Sequence, residues 1–265
     1  AKGEFPLDEG GSDSFDADGS SAHIDNDGTD YQYKADGSGT VVHPDGTSET
    51  WDADGSGKVI HADGSVESIN ADGSGSWSDA SGNTETWNAD GSGGSEYADG
   101  SSYTWQSDGS GSATYPDGSI ETWHADGSGS YEGADGSAHS WNEDGSGSAT
   151  HPDGSKEVWH ADGSGEWSDG QGNENTWKTD GSGSWTDADG STGSWDADGS
   201  GKALYADGST ETWNADGSGG FQGADGASGT WESDGSGTWT DTDGTAGTMN
   251  ADGSGSITYP DGATE

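Results

Sequence analysis

Tyr115-Pro116-Asp117-Gly118-Ser119-Ile120-Glu121-Thr122-Trp123-His124-Ala125-Asp126-Gly127 is the stretch that decides how this chain folds. It holds one turn, one short strand and the start of the next turn, and its two Asp–Gly steps lie nine residues apart. Every ninth position from Gly10 to Gly262 is glycine. The residue before it is Asp except at Glu9, Ser81 and Gln171, and at those places the glycine stays. A backbone angle open to glycine is therefore the fixed requirement, and the carboxylate is a strong preference. A period this strict dictates the fold before any motif is read.

Pro or Ala, then Asp, then Gly is the order of a type I turn closed by a left-handed glycine. Pro44, Pro116, Pro152 and Pro260 stand where φ must be near −65°. Gly55, Gly118, Gly127 and Gly154 are representative turn-forming glycines. A type I turn followed by such a glycine is a common three-residue hairpin connection. About six residues are left for each strand, close to the usual length. They are rich in Thr, Trp, Tyr and Ser, which suit a pleated surface. No window carries an apolar 3.6-residue period, so no helix is expected.

The repeat alternates between two forms, and the true unit is eighteen residues. One form carries an aromatic residue six positions after its Asp: Trp51, Trp87, Trp105, Trp123, Trp141, Trp159, Trp177, Trp195, Trp213 and Trp231, with Ile69 and Met249 as apolar substitutes. The other reads Asp-Gly-Ser-Gly. Its aromatic lies five positions on, at Trp77, Tyr131, Trp167, Trp185, Phe221 and Trp239, or seven on, as at His61 and Tyr115. A three-residue loop sets Trp51 opposite Gly39 on one side and Gly57 on the other, so the indole has room where a side chain is missing. Side chains alternate between faces. This register therefore puts Trp51, Val59 and His61 on one aromatic face, and Thr50, Lys58 and Ile60 on a hydroxyl-rich one.

Composition bounds the rest. The formal net charge is −46 with only 24% hydrophobic residues, numbers that usually mean disorder, but the regular turns and 14 Trp argue for structure. Six basic residues are too few for electrostatic nucleic-acid binding. No apolar run approaches the roughly 20 residues of a membrane-spanning helix. With no Cys, disulfides and thiolate metal sites are excluded. Residues 1–14 read as an irregular lead-in, 15–34 as degenerate first repeats, and 35–265 as the regular array. Glu265 falls inside a strand, which suggests a piece of a longer array. The acidic Gly/Ser/Asp composition points to an extracellular or cell-surface setting.

Tyr115-Pro116-Asp117-Gly118 and Tyr259-Pro260-Asp261-Gly262, at a nine-residue period, resemble the G-box repeat of centriolar scaffold proteins, the T-complex protein 10 C-terminal repeat. The resemblance implies a free-standing single-layer antiparallel sheet with a scaffolding role. The Asp-Gly-Ser-Gly units, the Trp density and the acidity depart from that family.

The expected fold is all-β: a long single-layer antiparallel β-meander with Asp–Gly type I turns and G1 bulges. The alternative is a β-solenoid with eighteen residues per coil. In a meander the turn carboxylates on one edge stand about 9.6 Å apart, and in a solenoid at half that, where repulsion is stronger. The expected function is non-catalytic and structural. A Trp-rich face larger than soluble monomers usually expose would drive self-assembly into fibres, filaments or a matrix, with a second copy as partner. The assembly face comprises the fourteen tryptophans named above. The alternative is a Ca²⁺-dependent adhesin, or an ice- or glycan-binding module using the aromatic row or the Thr row (Thr50, Thr86, Thr104, Thr122, Thr176, Thr212, Thr230). No cofactor is expected. Calcium at the turn Asp residues is the one ion left open, although Asp precedes Gly-x-Gly here, the reverse of the calcium β-roll order.

Overall fold

The structure, a computed structural model, describes residues 3–6 and 11–265, and its regular elements are all β-strands. The chain divides into two units, residues 1–134 and 135–265. In the first, four-residue strands run from Gly3–Pro6 to Gly129–Glu132; in the second they run from Ala138–Trp141 to Gly255–Thr258. Within each unit a strand pairs antiparallel with the one before it and the one after it in sequence. Each unit is therefore an open meander. The solenoid is not formed, because it would set alternate strands side by side in parallel.

The turn between Ser48–Trp51 and Gly57–Ile60 shows why the period is nine. The Asp52 N–H donates to the Ser56 carbonyl at 2.7 Å, and the Gly55 N–H donates back to the Asp52 carbonyl at 3.0 Å. Gly55 takes φ of 88°, the left-handed value expected of a G1 bulge. The bulge turns the Ser56 N–H out of the ladder, and a buried or half-buried N–H needs another acceptor. Asp54 supplies it: its Oδ1 accepts the Ser56 N–H at 2.9 Å and the Ser56 hydroxyl at 2.7 Å. Five residues are thus spent on closure, and strands are four residues long rather than the six expected.

The two described turns that lack this Asp supply the same acceptor differently. Where Ser81 stands in its place, Asp79 Oδ1 accepts the Asn83 N–H, the equivalent donor, at 2.9 Å. Asp169 does the same for Asn173 at 3.1 Å in the turn that carries Gln171. The orphan N–H, not the position of the carboxylate, is what the sequence must satisfy.

No conventional core sits behind this framework. Among the described residues no large side chain is fully buried, and the buried apolar residues are Val41, Ala113, Ala149 and Ala203. The expected lead-in lies partly outside the described residues; within it Gly3–Pro6 already pairs with Ser12–Phe15. Cohesion comes from ladder hydrogen bonds, worth about 1 kcal/mol net each, and from local contacts across neighbouring strands.

Replacing Gly127 by Ala forces an L-residue into φ of 85° and should cost about 1–2 kcal/mol. Asp126→Ala removes one acceptor from an exposed turn and should cost less, with Asp126→Asn milder still. Hydrogen exchange at the Ser128 amide should rank the four proteins in that order. Many of the turn carboxylates are held below the ordinary aspartate value of 3.8, and for Asp126 the cause is the Ser128 hydroxyl and then its N–H. Their contribution to stability is therefore full above that value and lost as pH falls through the lowered one. Near-UV circular dichroism should stay constant down to about pH 4 and collapse only below it.

Candidate functional site

The pairing register places every tryptophan of a unit on one face. Trp51 lies between Gly39 and Gly57, and Trp87 between Gly75 and Gly93. Trp105 and Trp123 flank Gly111, and Trp77 is opposite Glu85, two residues along from the Trp87 row. In the second unit the same parity brings together Trp141, Trp159, Trp167, Trp177, Trp185, Trp195, Trp213, Trp231 and Trp239. Within each unit the register thus puts the tryptophans on one side of the sheet.

The indoles do not stand up from that face. A methyl group on Gly39, Gly75, Gly93 or Gly111 would overlap the ring of Trp51, Trp87, Trp105 or Trp123. Each ring thus lies flat over the glycine of the preceding strand. Its Nε1–H donates to the turn carbonyl fourteen residues back, from Trp51 to Gly37 at 2.9 Å and from Trp105 to Gly91 at 3.0 Å. Trp177, Trp195 and Trp213 bond Gly163, Gly181 and Gly199 in the same way. Trp185 and Trp239 instead cover Gly193 and Gly247 of the following strand. The tryptophans are half-buried staples, and only Trp239 reaches 38% exposure.

Two further rows share the face, and sequence reasoning missed their connection. Glu121 lies opposite Ala113 and Tyr131, and the Tyr115 hydroxyl donates to Glu121 Oε2 at 2.9 Å. Tyr205 makes the same bond to Glu211 at 2.8 Å, and His43 Nε2 meets Glu49 at 3.3 Å. In each case the buried Ala113, Ala203 or Val41 sits two residues before the Tyr or His and opposite the Glu. A polar clasp thus covers a small apolar residue. The signal was present as Tyr or His followed by Glu six positions later. The bond to Glu121 raises the Tyr115 pKa, with burial adding to it.

An open aromatic groove of the first unit lies at this clasp. Tyr97, Tyr103 and Tyr115 contact one another edge-on, with centroids 5.8 and 6.3 Å apart. Tyr115, Pro116, Asp117, Ser119 and Tyr131 line an open groove of about 470 Å³ beside them. The opposite face carries hydroxyl pairs, with Thr104 to Ser112 at 2.8 Å and Thr122 to Ser130 at 2.7 Å. Those threonine hydroxyls are engaged across strands rather than presented as a free row. Among the described residues, no three His, Asp or Glu side chains converge as a metal site. The Asp Oδ1 atoms of the turns are committed to N–H and hydroxyl donors.

Residues 35–67 match the T-complex protein 10 C-terminus. Within that segment the nine-residue glycine repeat is G-box-like. Solved structures similar to this chain include a TCP10 domain of Danio rerio CPAP in complex with a STIL peptide, at 22% identity and TM-score 0.39, covering 74% of this chain and 94% of that one. Another is the G-box domain of the microcephaly protein CPAP, described with a role in centriole elongation, at 24% identity and TM-score 0.37, covering 67% and 99%. A third is the TCP domain of Drosophila melanogaster SAS-4 with a proline-rich motif of Ana2, at 22% identity and TM-score 0.36, covering 49% and 88%. A comparison with curated protein sequences gives no match. The expectation of an extracellular or cell-surface setting is corrected by these findings: the matching family and domains are those of the centriole proteins CPAP and SAS-4, which points away from an extracellular location.

Trp105→Phe keeps a ring over Gly93 and loses the bond to Gly91, so it should cost about 1 kcal/mol in urea unfolding. Gly93→Ala drives a methyl group into both Trp105 and the Thr86 carbonyl. It should cost more, about 1–3 kcal/mol, as overpacking does.

Proposed function

We propose that this chain is a non-catalytic structural scaffold whose aromatic face docks an extended, proline-containing segment of a protein partner. The observation that carries the reading is the Tyr97–Tyr103–Tyr115 row beside the open groove at Pro116 and Tyr131. Extended proline-rich segments dock on aromatic-lined grooves because their conformation is pre-formed and little entropy is lost. The family match over residues 35–67 supports a scaffold. The rigid turns support it too, since a pre-organised surface binds at lower cost.

Self-assembly is the second reading. Exposed apolar side chains on the hydroxyl-rich face favour it, Val42 at 48% and Leu204 at 48% among them. The tryptophans favour it less, because seven of the fourteen spend their N–H groups within the sheet, Trp51 and Trp105 among them.

A display library of random linear peptides, selected on the immobilised protein, separates the two. The scaffold reading expects proline- and aromatic-rich sequences whose binding is lost in Tyr103→Ser and Tyr115→Ser proteins that keep the wild-type circular dichroism. Enrichment indifferent to both substitutions overturns it. Sedimentation velocity of the free protein should show a single small species. Concentration-dependent polymers that vanish when Trp123, Trp141 and Trp159 become Ser would favour assembly instead.

A further inference from the structure

Asp–Gly is chemically the least durable dipeptide in a protein, and this chain repeats it at nearly every turn. The Gly nitrogen has no neighbouring side chain to shield it. Once deprotonated it can attack the side-chain carboxyl carbon of the Asp before it. A new C–N bond then closes a five-membered succinimide, and a carboxyl oxygen leaves as water with the protons of the carboxyl group and the amide. Water adds back at either ring carbonyl. Opening at one restores Asp, and opening at the other routes the main chain through the former side chain as isoaspartate. No oxidant or cofactor enters, and the formula is unchanged.

The fold opposes this reaction at most of its turns. Asp126 Oδ1 is held by the Ser128 N–H at 2.9 Å and the Ser128 hydroxyl at 2.6 Å, while the Gly127 N–H is committed to the His124 carbonyl at 3.0 Å. Asp198 is held in the same way by Ser200, at 2.9 and 2.6 Å. Two donors turn the carboxyl group toward the residue after the glycine and away from the glycine nitrogen. They also stabilise its ionised form, which is a poor electrophile. Asp169, followed by Gly170, is held by the Gln171 N–H, the Asn173 N–H and the Asn173 side-chain amide.

In the nine-residue register the residue after Asp–Gly is Ser or Thr, with two exceptions, Ala227 and Ala263. There no hydroxyl exists to supply the second donor, whereas in turns such as those of Asp180 and Asp234 the serine is present but only its N–H bonds the carboxylate. Asp225 accepts the Ala227 N–H at 3.0 Å, and Asp261 accepts the Ala263 N–H at 2.9 Å. A carboxyl group held at one point can rotate about that bond and present its carbon to the next nitrogen.

We propose that Asp225–Gly226 and Asp261–Gly262 are sites of spontaneous aspartate isomerisation, and that a serine hydroxyl bonded to the turn carboxylate, as at Asp126 and Asp198, suppresses the same reaction. The consequence is local. Isoaspartate lengthens the main chain by one carbon, so the turn loses the closing bonds from the Gly223 N–H to the Ala227 carbonyl and from the Gly226 N–H to the Gly223 carbonyl, now 2.6 and 3.1 Å. The Ser at this position is thereby a chemical safeguard as well as a turn former.

The test is prolonged incubation of the folded protein at neutral pH in heavy-oxygen water. Peptide mapping by electron-based fragmentation then separates Asp from isoaspartate and locates the incorporated oxygen. Isoaspartate should build up at Asp225 and Asp261 several-fold faster than at Asp126 and Asp198, and the four rates should converge in concentrated urea. Ala227→Ser should slow Asp225 to the rate of Asp126, and Ser128→Ala should speed Asp126 to that of Asp225. Asp225 lies well inside the array, so fraying of the last turn does not decide the result. Equal rates at all four sites in the folded protein, or an Asp225 rate unchanged by Ala227→Ser, overturns the proposal.

Discussion

One unpaired backbone N–H governs this protein. A left-handed glycine at the end of each turn lets the chain reverse in three residues, and the resulting bulge removes the next N–H from the ladder. An acceptor must be supplied there, and a carboxylate supplies it, from Asp54 in the ordinary turn and from Asp79 or Asp169 in the altered ones. Once that turn is set, the pairing register is set with it. The register then decides which side chains share a face, because a slip of one residue would send each of them to the other side.

The sheet units hold together without a buried interior, by contacts that reach no further than the neighbouring turn or strand. A tryptophan ring covers a glycine and bonds a turn carbonyl, and a tyrosine or histidine clasps a glutamate over a small residue. Such contacts are local in sequence, so contact order is low and stability accumulates repeat by repeat. The same economy leaves both faces of a unit open to partners. In the tyrosine row Tyr97 is exposed and Tyr103 and Tyr115 are half-buried, whereas seven of the fourteen tryptophans have used their N–H groups within the sheet.

Much of this was legible in the residues. The turn type, the meander, the pairing of Trp51 with Gly39 and Gly57, and the single aromatic face all follow from period and turn chemistry. The role of Ser after Asp–Gly was not read, because Ser is common in any polar loop and its value lies in a bond to a carboxylate two residues back. The Tyr115–Glu121 clasp was missed because its partners are six residues apart in sequence and meet across two neighbouring strands. Acidity misled the reading of setting: charge reports solubility and repulsion, and carries no address.

The sequence by itself determined the backbone: where the chain turns, which strands pair, in what register, and which residues share a face. These depend on φ, on hydrogen-bond count and on a strict period, all of which are local. Only the tertiary structure decided how the side chains spend themselves. Trp51 had a glycine on either side, and packing alone chose Gly39, because leaning that way brings the indole N–H to the Gly37 carbonyl. That choice spends the indole N–H and one ring face of Trp51 within the sheet, which the spacing of residues along the chain does not specify.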